Sequence, residues 1–212
     1  EGLRFETDDG NFKMRIGGRI HNDWAWFDQD DDLEWLWDPE NKVGRFYDTE
    51  DGTEFRRARL AIQGEAYGNV EFKTEYDFAD GDAAFKDVFV ALMDLPGVGY
   101  VRAGHFKEPF SLEQLTSSNN ISFMERSLAD VFAPERNTGV MVRRGFFEDR
   151  VTAALGVFRD TTNYAKNSDD GYYNVTARVT GTPLYMDEGG KLVHLGAADS
   201  HRNPDNPYRY QQ

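Results

Sequence analysis

Residues 12–27 alternate between two kinds of side chain. The even positions are Phe12, Met14, Ile16, Gly18, Ile20, Asn22, Trp24 and Trp26. The odd positions are Lys13, Arg15, Gly17, Arg19, His21 and Asp23. A period of two is that of a β-strand, whose successive side chains point to opposite faces. An ordinary strand is about 5–6 residues long. A membrane-spanning barrel strand needs about 9–11, tilted, with apolar side chains toward lipid and polar ones toward the lumen. A run this long, with one apolar and one charged face, restricts the chain to two-faced β-structure.

The pattern recurs. Over residues 55–66, Ala58, Leu60, Ile62, Gly64 and Ala66 oppose Arg57, Arg59, Gln63 and Glu65. Tyr67, Gly68 and Asn69 form a tight hairpin connection by composition. Residues 70–78 then alternate again, Val70, Phe72, Thr74, Tyr76 and Phe78 against Glu71, Lys73, Glu75 and Asp77. Residues 84–92 alternate less cleanly. Further strands are expected over 98–106 and near 138–145, 150–158, 172–182 and 191–200. That makes about nine.

The connections alternate too. Residues 28–54 are long and acidic, 67–69 short, 107–137 long, 145–149 short and 159–171 longer; only 79–83 breaks the rule. Long loops on one side and short turns on the other are the habit of an outer-membrane barrel. Single-chain bacterial barrels have even strand numbers and tolerate no open edge in lipid. The polar, Pro-containing residues 203–212 read as loop rather than as a closing strand. The expectation is one partial barrel domain over residues 1–212, the N-terminal portion of a longer one. A start at Glu1 fits a cleaved signal peptide or a trimmed chain.

Composition agrees with this. No run approaches the 18 apolar residues of a transmembrane helix, which excludes a helical membrane protein but not a barrel. Aromatic residues reach 14%, enough for girdles at two interfaces, although a soluble β-sandwich with an aromatic core fits the same figure. A net charge of -14 argues against a nucleic-acid partner. The absence of cysteine removes disulfides and thiolate metal sites. His21, His105, His194 and His201 lack metal spacing, and no nucleophile motif occurs, so neither catalysis nor a cofactor is expected. Asp28, Asp30, Asp31 and Asp32, with Asp48, Glu50 and Asp51, lack EF-hand spacing. They read as a solvated loop or a calcium site. Leu33, Trp35, Leu36 and Trp37 in the same loop suggest a contact with a neighbouring subunit or with the rim.

Six short segments then stand in order: Phe-Arg-Arg-Ala-Arg at 55–59, Glu-Tyr-Asp-Phe at 75–78, and Gly-His-Phe-Lys-Glu-Pro-Phe-Ser at 104–111. Leu-Thr-Ser-Ser-Asn follows at 115–119, Phe-Met-Glu-Arg at 123–126 and Phe-Ala-Pro-Glu-Arg-Asn at 132–137. Together they resemble the phosphate-selective porin O and P family, over about residues 10–204. The resemblance implies an all-β, transmembrane antiparallel barrel of sixteen strands in the bacterial outer membrane, a homotrimer with a water-filled pore in each subunit. It implies passive diffusion of small inorganic anions, phosphate or polyphosphate, and that the 107–137 loop folds into the pore. A lid outside the channel is the alternative for that loop.

Selectivity in such a pore comes from charge at a constriction, and guanidinium suits phosphate because it is forked and always charged. Alternation points Arg15, Arg19, Arg57 and Arg59 into the lumen and Arg56 away from it, unless Arg56 lies at the rim. Arg102 and Arg178 are assigned inward because an arginine facing lipid costs about 2–4 kcal/mol at mid-membrane. Lys107 and Arg126 are candidates from the loop. Glu65, Glu71, Glu75 and Asp77 share the polar face, so cross-strand pairing explains Arg57 as well as an anion path does. Those carboxylates keep a general or cation-leaning porin in view. A non-conducting attachment protein anchored by its barrel is the reading from another class.

Overall fold

The computed structural model describes residues 2–28, 50–167 and 172–202, and the backbone of 35–38 and 43–46. Ten antiparallel strands form one sheet in which almost every strand pairs with its neighbour in the chain. They are β1 (Leu3–Glu6), β2 (Phe12–Ala25), β5 (Gly52–Ala66), β6 (Val70–Asp77), β7 (Ala84–Leu95), β8 (Gly99–Lys107), β9 (Arg136–Phe146), β10 (Val151–Arg159), β11 (Asn174–Met186) and β12 (Lys191–His201). A separate hairpin, β3 (Trp35–Asp38) with β4 (Val43–Phe46), interrupts the first long connection. The calcium and subunit-contact readings of that loop, and the loop reading of 203–212, lie outside the described residues.

Nine of the ten strands coincide with the sequence expectation. The tenth, β1, pairs Leu3 with Ile16 and Phe5 with Met14. Its four residues are too short to show a period. The hairpin likewise hides in a segment dominated by Asp and Glu.

The sheet is inverted relative to a soluble sandwich. Its polar face is covered and its apolar face is bare. Leu60, Val90, Leu155, Val157 and Val179 are exposed, while Arg57, Glu75, Asp77, Thr176 and Asn174 are buried. Exposed aromatic side chains gather at both ends of the strands. Trp24, Trp26, Phe55, Phe78 and Tyr173 stand at the long-loop end, with Trp24 and Trp26 stacked at 6.0 Å. Tyr67, Phe147 and Tyr185 stand at the short-turn end. An apolar band between two aromatic rings is the surface that a bilayer solvates.

A small apolar cluster thickens the inner face across β7–β10. Phe106 packs edge-on against Phe89 at 6.1 Å and Phe158 at 5.5 Å, beside Met141 and Ala91. Glycines make room for it. A Cβ on Gly156 would lie 2.4 Å from the Phe158 ring, and one on Gly104 would lie 2.6 Å from the Phe89 Cα. The Phe158 ring lies against the bare backbone of Gly139 and Gly156 and the Phe106 ring stands edge-on to it, and both are fully buried. Arg102 caps the cluster with its guanidinium 3.8 Å over the Phe89 ring.

Four β-bulges interrupt the alternation among the described residues, and the two nearest the long-loop end, in β2·β5 and β6·β7, bring charge onto the inner face. Between β2 and β5, His21 pairs with Arg57 and Asn22 with Phe55, which leaves Arg56 as the extra residue. Between β6 and β7, Thr74 pairs with Val88 and Tyr76 with Phe85, so Lys86 and Asp87 together oppose Glu75.

Candidate functional site

The two bulges frame a connected network of charge on the inner face. Glu75 on β6 receives three cations: Lys73 at 2.7 Å, Arg59 at 3.3 Å and Arg19 at 3.5 Å. Asp77 accepts from Arg59 Nε at 2.7 Å and lies 4.0 Å from Lys86. Asp87 bridges Lys73 and Arg136, each at 2.8 Å. Arg19, Arg59, Lys73, Lys86 and Arg136 outnumber Glu75, Asp77 and Asp87 by two. Every member is largely buried, where charge pairs are weakly screened and a surplus is felt strongly.

The connection from β8 to β9, residues 108–135, lies across this face. Its one helical turn, α1 (Leu112–Leu115), is capped by the Ser111 hydroxyl, which accepts from the Gln114 amide at 3.2 Å. Lys107 closes the other end of that turn. Its ammonium donates to the carbonyls of Gln114 and Thr116, where the helix leaves acceptors unsatisfied. Arg126 holds the loop to itself, donating to the carbonyls of Glu113 at 3.1 Å and Thr116 at 2.9 Å. The Glu113 carboxylate accepts from the amide and the hydroxyl of Ser127, each at 2.7 Å. Those hydrogen bonds, hydroxyl first, keep Glu113 below the usual carboxylate range.

Two contacts tie the loop to the wall. Arg19 on β2 donates to the hydroxyls of Ser118 at 2.9 Å and Ser117 at 3.3 Å. Glu125 accepts from Arg56 Nε and lies 3.7 Å from Arg57. The loop that leaves β8 therefore reaches over β7, β6 and β5 to β2. Burial pushes the Glu125 carboxyl up. The Arg56 hydrogen bond and the charges of Arg56, Arg57 and Arg126 outweigh this and leave it below its ordinary value.

A second polar knot stands where the loop begins. Glu108 is fully buried and accepts from Asn137 at 2.7 Å, from Thr176 and from Arg202 at 3.1 Å. Asp160 accepts from Asn137 at 3.1 Å, from Asn174 at 2.9 Å and from Arg202. This knot stitches β9, β11 and the end of β12 to the loop.

The eight residues singled out from sequence occupy different settings. Arg19, Arg57 and Arg59 converge under the loop. Lys107 and Arg126 face backbone carbonyls of the loop. Arg102 lies over the aromatic cluster, donates to the Tyr100 hydroxyl at 2.7 Å and stands 3.9 Å from Glu71. Arg15 lies on the inner face across from Gln63 and Arg4, and Arg178 on the same face across from Ala154 and Ala198. Among the described residues no side chain pairs with Arg15 or Arg178. Lys73, Lys86, Asp87, Arg136 and Glu125 were not singled out. Alternation places Lys73 on the polar face of β6; Lys86 and Asp87 sit at a bulge and Glu125 in the loop, where no period operates, and Arg136 is the first residue of β9, just before the expected strand near 138–145.

Comparison with known proteins bears on this arrangement. A family model described as phosphate-selective porin O and P matches residues 14–209. Porin O of Pseudomonas aeruginosa is 24% identical over 220 residues, covering 97% of this chain and 45% of that protein. An uncharacterized protein of Caulobacter vibrioides is 29% identical over 171 residues, covering 76% of this chain and 34% of that protein. The chain spans less than half the length of these two relatives.

Proposed function

Because the chain belongs to the phosphate-selective porin O and P family, whose members are outer-membrane channels and not enzymes, we propose that it supplies part of the wall and the constriction loop of a pore for passive diffusion of small anions. Phosphate and short polyphosphates are the solutes that the chemistry favours. The observation that carries the reading is the buried cationic surplus beneath the 108–135 loop, with Arg57 and Arg56 at its edge. A charged surface of one sign in a narrow aqueous passage raises the local concentration of the opposite ion. Guanidinium groups add the forked donors that match phosphate oxygens.

In this reading Arg15, Arg19, Arg57, Arg59 and Arg178 form the anion-facing wall, with Arg102, Lys107 and Arg126 shaping the passage. The loop narrows it, and the working unit is a homotrimer in outer-membrane lipid. The carboxylates at Glu75, Asp77 and Asp87 support a second reading, a general or cation-leaning porin.

Planar-bilayer recording of the full-length protein separates the two. An anion-selective reversal potential in a KCl gradient, with current blocked by added phosphate, is the expected result. Cation selectivity would replace it with the second reading. Folded trimers that pass no current would point to an attachment role.

A further inference from the structure

Glu125 brings one negative charge to the most cationic edge of the site. Its carboxylate accepts from Arg56 and lies 3.7 Å from Arg57, and Arg126 follows it in the chain. A cleft of about 250 Å³ opens beside it, lined by Thr116, Asn120, Ser122, Phe123 and Arg126 as well as Glu113. Glu75 provides the contrast. It sits among three cations with its side chain 2% exposed, whereas the Glu125 side chain is 51% exposed. A carboxylate that open can swing into water at little cost, because a half-exposed ion pair is well solvated on either side.

We propose that Glu125 is a tethered stand-in for the transported anion. It holds, as a carboxylate, the place on Arg56 and Arg57 that a phosphate oxygen takes during passage, and polyvalent oxyanions displace it where chloride does not. Carboxylate and phosphate present the same spacing of acceptor oxygens to a guanidinium fork. Inorganic phosphate near neutral pH carries about 1–2 negative charges and two oxygens beyond the pair that meets the fork, against one charge and one pair of oxygens on Glu125. Chloride carries one charge and no pair of oxygens to match the fork. The carboxylate thereby sets a threshold that favours polyvalent oxyanions. The extra residue of the bulge makes this possible, since regular pairing would have sent the Arg56 side chain to the opposite face.

The inference rests on the anion-channel reading, and the test separates them. Phosphate block of chloride current is compared between wild type and Glu125→Gln in the full-length porin, with a nitroxide at Ser122→Cys reporting loop mobility; residues 1–212 carry no other cysteine, and any in the remainder of the protein is replaced by serine. Half-blocking phosphate is expected to fall about fivefold to tenfold in Glu125→Gln while chloride current rises. In the otherwise native protein, phosphate is expected to mobilise the label and chloride at equal ionic strength to leave it unchanged. An anion-selective wild type whose block is unaltered by Glu125→Gln, or whose label ignores phosphate, overturns the stand-in role alone. A cation-selective wild type overturns the channel reading and the stand-in with it. If Glu125→Gln does not assemble, Glu125→Ser and the label on the otherwise native chain decide the matter.

Discussion

Glu75 and Arg59 meet at 3.3 Å on adjacent strands, and neither can leave without stranding the other's neighbours. Glu75 also holds Arg19 and Lys73, so its removal leaves Arg19 without a carboxylate among the described residues and brings the charges of Arg19, Arg59 and Lys73 together with only Asp77 and Asp87 to offset them. Breaking a buried ion pair from one side costs about 3–5 kcal/mol. Glu75→Gln is expected to fold less stably by about that amount, read as a lower temperature for loss of the compact folded band in gel electrophoresis. An unchanged transition would show that the network is better hydrated than its burial implies.

The two faces of the sheet make opposite demands. Leu60→Arg places charge on the bare apolar face and is expected to cost about 2–4 kcal/mol of folding stability in bilayers. Gln63→Glu, on the inner face between Arg15 and Lys73, is expected to cost less than about 1 kcal/mol. Equal penalties in liposome refolding would contradict the assignment of the two faces.

The aromatic cluster offers a test of packing without charge. Phe158 lies flat over Gly156 and touches Phe106 edge-on. Truncating a buried phenylalanine costs about 3–5 kcal/mol, the upper end holding where no neighbour can relax into the space. Phe158→Ala is expected to lose about 3 kcal/mol, measured by urea-dependent refolding into detergent. A loss under about 1 kcal/mol would mean that water replaces the ring without penalty.

Acid should loosen the loop. Glu113 and Glu125 are both held below the ordinary carboxylate value, so what they contribute is present above about pH 4.3 and fades as pH falls through their lowered values. Asp130 acts in the opposite sense: burial raises it, and acid relieves that cost. A nitroxide at Ser122→Cys is expected to gain mobility as pH falls from 5 to 3. The gain should be smaller in Glu125→Gln, where the Glu113 contacts with Ser127 still loosen but the tie to Arg56 no longer titrates. Identical profiles in both proteins would remove Glu125 from the account.

Most of the wall was legible because a spanning strand repeats one simple rule, and β2, β5, β6, β10 and β11 obey it for many residues. What escaped lies where the rule stops. Arg56 reads as pointing away from Arg57, yet the bulge turns both toward Glu125. The imperfect alternation over residues 84–92 is the second bulge, which hides Lys86 and Asp87. The aromatic cluster escaped because its rings lie on the polar face, sheltered by glycines that sequence alone cannot pair with them. Lys107 looked like a charge for the passage, and its hydrogen bonds to loop carbonyls depend on a helical turn of only four residues.

The surplus residue at position 56 also decides how this wall tolerates a change of length. Excising Arg56 would bring Phe55 and Arg57 into consecutive pairing with Asn22 and His21, and every other side chain of β5 would keep its face. Excising a residue from the regular stretch between Arg57 and Ala66 would turn one side of the strand over, carrying apolar groups into the water and arginines toward lipid. The strand thus contains one position at which the chain can be shortened without a change of solvent for its neighbours, and that position carries a charge bound to the loop.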